Sequence, residues 1–129
     1  MRLLLDTHAF IWADEQPEKL SSSAREACED PANELILSIV SAWEMQLKIM
    51  LGKLVLRKPL RSMVQDWIEQ NDLLLLPVQL EHVFRLDTLS SHHKDPFDRL
   101  LIAQALEEGY TLVTHDAAFA AYGVPMLAS

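Results

Sequence analysis

The amino-acid sequence predicts an α/β protein in which a parallel sheet is covered by helices on both faces. Three observations carry this expectation. The strand-like segments are short and apolar throughout rather than alternating, as at Leu3–Leu5 and Leu73–Leu76, which marks strands buried on both sides. They alternate with stretches of helical periodicity. The 129 residues are half hydrophobic and 23% charged, which suits one domain over 1–129 and excludes a disordered chain.

Taken in order, Leu3–Leu5 forms a first strand that ends at Asp6, and a helix starts at once over His8–Ala13. Ser21–Glu29 fits a second helix, and Leu35–Ser38 is the next strand. Ser41 to Leu51 reads as a helix stopped by Gly52, with Trp43, Leu47, Met50 and Leu51 as its apolar, core-facing stripe. Leu60, Met63, Val64, Trp67 and Ile68 follow the i, i+3, i+4, i+7, i+8 rule, so Leu60–Asn71 is an amphipathic helix. A third strand, Leu73–Leu76, is stopped by Pro77, and Leu80–Leu89 reads as helix. Asp95-Pro96 opens a helix with an N-cap aspartate and a proline at the first helical position; it runs to about Glu108 and stops at Gly109. This helix is apolar on nearly every side and is expected to be central. Leu112–Thr114 is a fourth strand, Ala117–Tyr122 a short helix, and Val124–Leu127 a last edge strand.

Composition bounds the function. The single cysteine, Cys28, excludes an intrachain disulfide framework and a cysteine-based zinc site. There is no apolar run of the roughly 18 residues that a membrane span needs, and the first residues lack a secretory apolar core. A cytoplasmic protein is expected. The net charge of −8 argues against binding nucleic acid by phosphate neutralisation alone. Charge is unevenly spread, however. From Met45 to Gln65 there are five cations (Lys48, Lys53, Arg57, Lys58, Arg61) and no anion. That strip is either a solvated surface or a docking site for a polyanion or an acidic partner.

In a parallel sheet the working site lies beyond the carboxyl ends of the strands. Asp6 follows the first strand directly, and Asp116 lies two residues beyond the fourth. Glu44 comes three residues after Ser41 and Asp98 three after Asp95, so both are expected at the third position of a helix entered at that edge. Each has a structural explanation of its own: Glu44 completes a capping box with Ser41 and pairs with Lys48, Asp98 favours a helix N-terminus, and Asp116 caps a short helix. Asp6 has the weakest such explanation, because a charge directly after a buried strand needs a partner. Together the four carboxylates form a self-repelling cluster suited to a hard divalent cation, Mg²⁺ or Mn²⁺.

The segments LLLDTHAFIW, SIVSAWEMQLKIMLGKL, HHKDPFDRLLIAQA and TLVTHDAAFAAYGV resemble the PIN domain, and most of all its small, stand-alone VapC-type toxins. The resemblance covers essentially the whole chain, in order. It implies a PIN-like fold with a central five-stranded parallel sheet. It also implies a Mg²⁺- or Mn²⁺-dependent ribonuclease, usually a homodimer, inhibited by an antitoxin encoded beside it. By the same resemblance Asp6, Glu44, Asp98 and Asp116 are the four acidic site residues. The motif DPFD offers two aspartates. Ala105 fits the family spacing when Asp98 is the site residue, so the resemblance implies Asp98 and leaves Asp95 to capping and to support of the site, with metal contact as the alternative.

The mechanism implied is attack of an activated water on an RNA phosphodiester, leaving a 5′-phosphate and a 3′-hydroxyl. Metal is held chiefly by Asp6, Asp98 and Asp116, with Glu44 on metal or acting as general base. Thr7 and Thr114 either orient water or carboxylate or satisfy backbone groups. Lys48, Arg57, Lys58 and Arg99 are candidate RNA contacts. A histidine-ligated metal at His8, His92, His93 or His115 is disfavoured, though His8 and His115 are placed to touch substrate. Trp12, Trp43 and Trp67 are expected in the core rather than as base-stacking platforms. The rival functions are a non-catalytic PIN scaffold that binds RNA or protein and a metal-dependent DNA nuclease. A phosphoacceptor receiver is disfavoured because no acidic residue precedes Asp6 and no lysine follows Lys94.

Overall fold

The computed structural model describes residues 1–90 and 95–129. The histidine pair His92-His93 and Lys94 lie outside the described residues. Five strands, β1 (Arg2–Leu5), β2 (Glu34–Ser38), β3 (Leu74–Leu76), β4 (Thr111–Thr114) and β5 (Met126–Ala128), form one sheet in the order β3-β2-β1-β4-β5. Every pairing is parallel. In the central strand, Leu5 stands opposite Leu37 on one side and Val113 on the other.

Successive strand residues point to opposite faces. Leu3, Leu5, Leu35, Leu37 and Val113 therefore pack on one face, while Leu4, Ile36 and Leu112 pack on the other. Helices α1 (Thr7–Glu15), α2 (Ser22–Glu29) and α4 (Leu60–Asn71) cover the first face through Phe10, Ala24 and Met63. Helix α6 (Pro96–Glu108) covers the second through Leu101, Ile102 and Ala105. It begins and ends as its sequence predicts: Asp95 accepts from the N–H groups of Phe97 and Asp98, and Gly109 closes it in the left-handed conformation at φ 72°.

Several elements depart from the sequence expectation. Helix α3 runs over Ile39–Met50 and is capped by Ser38, whose hydroxyl accepts from the Val40 N–H at 3.0 Å. The expected Ser41–Glu44 capping box is therefore absent. Ser41 is buried inside the helix and Glu44 lies more than a turn from its start. The Ser41–Glu44 spacing mimics a capping box and so concealed the helix start, two residues earlier at the β-branched pair Ile39-Val40, which disfavours helix locally. The expected core stripe of α3 instead faces out. Trp43 is 59% exposed and Met50 74%, and Leu47 and Leu51 are exposed as well. Helix α5 (Leu80–Arg85) is followed by a 3₁₀ turn at Leu86–Thr88; the short helix expected at Ala117–Tyr122 is present, as 3₁₀.

One buried polar junction locks the second face. Gln104 on α6 accepts from the Ser38 hydroxyl, and its amide N–H₂ donates to the Pro77 carbonyl at 3.3 Å and to His82 Nδ1 at 3.4 Å. His82 Nδ1 also accepts from the Gln79 N–H, so its Nε2–H donates to Glu108 at 3.0 Å. Ends of β2 and β3 and the starts of α3 and α5 are thereby tied to the middle of α6. A buried polar network of this kind fixes geometry only when each member finds a partner, as these do.

Candidate active site

Strand order reverses between β1 and β4, which are neighbours in the sheet but far apart in sequence, and the crevice opens beyond their carboxyl ends. Asp6 and Asp116 enter it from those two strands. Glu44 reaches it from α3 and Asp98 from the first turn of α6. All four, with Thr7, Asp95 and Lys48, line a single cleft of about 170 Å³.

Each acid is held by local structure. Asp6 continues β1, donating its N–H to the Val113 carbonyl, and its Oδ1 caps α1 by accepting from the Ala9 N–H at 2.7 Å. It is 7% exposed. Burial pushes its carboxyl above the ordinary aspartate value, while hydrogen bonds from Thr114 and the Ala9 N–H and the proximity of His8 and His115 pull it back in part. Glu44 is equally buried and carries two partners: the Thr7 hydroxyl donates to its Oε1 at 2.6 Å, and Lys48 Nζ donates to its Oε2 at 2.8 Å. The expected Glu44–Lys48 pair is thus present although the capping box is not. Asp116 Oδ1 accepts from the Ala118 N–H at 3.0 Å, and the Asp116 N–H donates to the buried Thr114 hydroxyl at 3.1 Å. Thr7 and Thr114 both touch site carboxylates.

The donor set suits a hard divalent cation, being carboxylate oxygens with hydroxyls beside them. Among the described residues, no three acidic, histidine or cysteine side chains are arranged to hold a metal ion. Asp6, Asp95 and Asp116 each turn an oxygen to a helix cap, and Glu44 turns its two oxygens to Thr7 and Lys48.

Other expected site residues lie elsewhere. Arg57 donates from its guanidinium to the Asp14 carbonyl and pairs with Glu15, and Lys58 pairs with Asp66 at 2.6 Å. With Lys48 on Glu44, three of the five cations of the basic strip are therefore committed within the chain. Arg99 donates to the Ser90 carbonyl at 2.9 Å and the Leu86 carbonyl at 3.4 Å, which ties the segment before α6 to the helix. Trp67, against Phe10, and Trp12 are both half-buried and pack against the core, as expected, whereas Trp43 leans on Phe97 at the surface. Phe119 also lines the cleft, a position no polar pattern signals.

Residues 3–125 match the PIN domain family. The chain is 33% identical over 115 residues, 88% of its length and 86% of the relative's, to a Mycobacterium tuberculosis protein named ribonuclease VapC22. The fold is similar to VapBC2 from Rickettsia felis bound to a promoter DNA fragment, with a TM-score of 0.75 at 18% identity and 98% of each chain covered. It is similar also to DNA-bound VapBC from Salmonella typhimurium, with a TM-score of 0.73 at 15% identity, covering 98% of this chain and 97% of that one. By family match, by homology and by the all-parallel sheet with its acidic crevice, the chain belongs to the PIN domain family.

Proposed function

We propose that this chain is a Mg²⁺- or Mn²⁺-dependent endoribonuclease, the cytoplasmic toxin of a toxin–antitoxin pair. One observation carries the reading: Asp6, Glu44, Asp98 and Asp116, drawn from four elements, line one cleft at the point where strand order reverses. The name of the VapC22 relative and the toxin–antitoxin complexes of similar fold support it.

Asp6, Asp98 and Asp116 would hold the metal, with Glu44 beside them. When bound, the cation would supply charge neutralisation and lower the pKa of a water. The protein groups do the rest. Thr7 fixes the Glu44 carboxylate, so that it is aimed at the cleft to accept a proton from the attacking water. Lys48 balances the Glu44 charge until substrate enters. Thr114 braces both Asp6 and the Asp116 backbone. Water attacks the phosphodiester in line, leaving a 5′-phosphate and a 3′-hydroxyl. The full set of four acids separates this reading from that of a non-catalytic scaffold.

We assign the partner surfaces as follows. The exposed side chains Ile39, Trp43, Leu47 and Met50 on α3 and Leu80, Val83 and Phe84 on α5 are each at least 37% exposed. The Ser38–Gln104–His82 junction brings the starts of both helices together, so Ile39 and Leu80 flank one buried point and the other side chains extend along the two helices from it. Apolar patches of this kind mark association surfaces, and a second copy of the chain is the occupant we assign. The antitoxin is left the acidic cleft and its rim.

The test is cleavage of RNA by the purified protein with Mg²⁺ or Mn²⁺ and its arrest by EDTA. Asp98→Asn and Asp6→Asn should each lose at least about a hundredfold, since each removes charge from a shared metal site. Asp95→Asn should retain substantial activity, because asparagine still caps a helix. An active Asp98→Asn beside an inactive Asp95→Asn would reverse the assignment.

A further inference from the structure

An acidic protein with an acidic cleft faces a difficulty in holding RNA. Its net charge is −8, and the cations Lys48, Arg57 and Lys58 are already paired with Glu44, Glu15 and Asp66. Phosphate neutralisation is therefore a weak source of affinity, whereas stacking of unpaired bases on aromatic rings does not depend on charge balance.

Three rings stand together at the rim of the cleft. His8 and Trp12 are four residues apart on α1, so they share a face of that helix. His115 joins them because β1 and β4 are in register: it lies two residues beyond Val113, the partner of Leu5, and His8 lies three beyond Leu5. The His8 and His115 ring centres are 5.0 Å apart, those of Trp12 and His115 5.2 Å, and those of His8 and Trp12 6.2 Å. His8 and His115 are exposed and line the same cleft as the four acids. Trp12 is half-buried, and Lys19 Nζ sits 6.0 Å from its ring centre, which brings a cation to the outer end of the row.

We propose that His8, Trp12 and His115 form a stacking ledge for one or two unpaired bases of single-stranded RNA, next to the phosphate in the cleft, with Lys19 facing the adjoining backbone. The ledge rests on the ribonuclease reading for its substrate. It adds how an acidic chain gains affinity for that substrate, and it makes an accessible base a requirement.

The probe is a short single-stranded oligoribonucleotide carrying 2-aminopurine, used alone and annealed to its complement. Binding is measured in an Asp98→Asn background and turnover in the otherwise wild-type chain. His115→Ala and Trp12→Leu should each weaken binding and raise KM roughly tenfold, with kcat little changed. Both should relieve the quenching of the stacked 2-aminopurine. His115→Phe, which keeps a ring without a titrating group, should restore binding and quenching. The annealed probe should bind poorly and respond to none of these changes. If Trp12→Leu fails to fold, the exposed His115 pair decides alone. Wild-type affinity and KM in His115→Ala would overturn the ledge, as would a His115→Phe protein that stays defective. A wild-type chain that cuts no RNA would overturn the ribonuclease reading instead. The binding arm would then still judge the ledge: ring-dependent quenching keeps it, and absence of binding removes it.

Discussion

Helices α3 and α4 are both 12 residues long and both amphipathic, yet they are built in opposite senses. Helix α4 follows the ordinary rule. Met63 is fully buried, Leu60, Val64 and Trp67 pack around it, and Arg61, Gln65 and Glu69 face out. Helix α3 turns Ser41, Glu44 and Met45 inward and leaves Trp43, Leu47 and Met50 exposed. Hydrophobic periodicity locates an apolar face but does not say what covers it. In α3 the inward face is mixed: Val40 and Met45 are apolar and buried, while Ser41 and Glu44 are polar and Glu44 borders the acidic cleft. Its apolar face is the one we assign to a second copy of the chain.

The largest expected effect follows directly from this contrast. Met63→Ala on α4 should destabilise the protein by about 2–5 kcal/mol, the usual cost of emptying a packed site. Leu47→Ala on α3 should leave the dilute, monomeric chain within about 0.5 kcal/mol of wild type. Denaturant titrations compare the two. Equal losses would mean that the α3 stripe is covered within the monomer after all.

Next in size is association. Phe84→Glu and Met50→Glu place charges on the exposed apolar surface, where the isolated chain tolerates them. Sedimentation should show the wild type as a dimer and the double variant as a monomer, whose melting temperature matches that of the wild type only at dilutions where the wild type is itself dissociated. A wild-type monomer at high concentration would remove the second copy as the occupant.

What could be read in the sequence divides along similar lines. Local chemistry was legible: Asp95-Pro96 and Gly109 bound α6 as expected, and the apolar runs gave all five strands to within a few residues. Asp6, Asp98 and Asp116 were legible as residues that follow strands or open helices, whereas Glu44, expected from a capping box, sits inside α3. Placement that depends on pairing was not. Nothing local says that β1 lies between β2 and β4, and this neighbourhood alone brings His115 beside His8 and Trp12. Nor does the segment Ser38–Ser41 reveal which serine caps α3, since both precede helix-compatible residues and both are buried; only the hydrogen bond from the Val40 N–H to the Ser38 hydroxyl identifies the cap.

A smaller effect concerns the polar part of the inward face of α3. Glu44 is buried and its neutralisation is shared between Thr7 and Lys48. Lys48→Ala should cost about 1–2 kcal/mol rather than the larger price of a fully buried pair, because the Lys48 side chain is 38% exposed and already partly solvated. Thr7→Val removes the other partner and adds to it. The double variant should lose more than the two singles together, as one carboxylate would be left with neither neighbour.

The smallest effect, and the one most dependent on sign, belongs to Asp6. Burial raises its folded-state pKa above that of the unfolded chain, which is about 3.9 for an aspartate. Between those two values the folded protein holds a proton that the unfolded chain has released. The unfolded state then binds fewer protons, so stability falls as pH rises through this window and levels off above the folded pKa. Asp6→Asn has no charge to desolvate, yet its amide oxygen still accepts from the Ala9 N–H and caps α1. In the absence of metal the variant should therefore equal or exceed wild type at neutral pH, with the advantage fading as pH drops below about 4. Asp6→Ala separates charge from cap: it also removes the charge but gives up the Ala9 hydrogen bond, and should melt below Asp6→Asn at every pH. Thermal melts in EDTA across pH 3 to 8 measure all three proteins. An Asp6→Asn protein that melts well below wild type at neutral pH would mean that the charge is stabilised by its surroundings in the folded state, and that the cleft stores no repulsion for a cation to relieve.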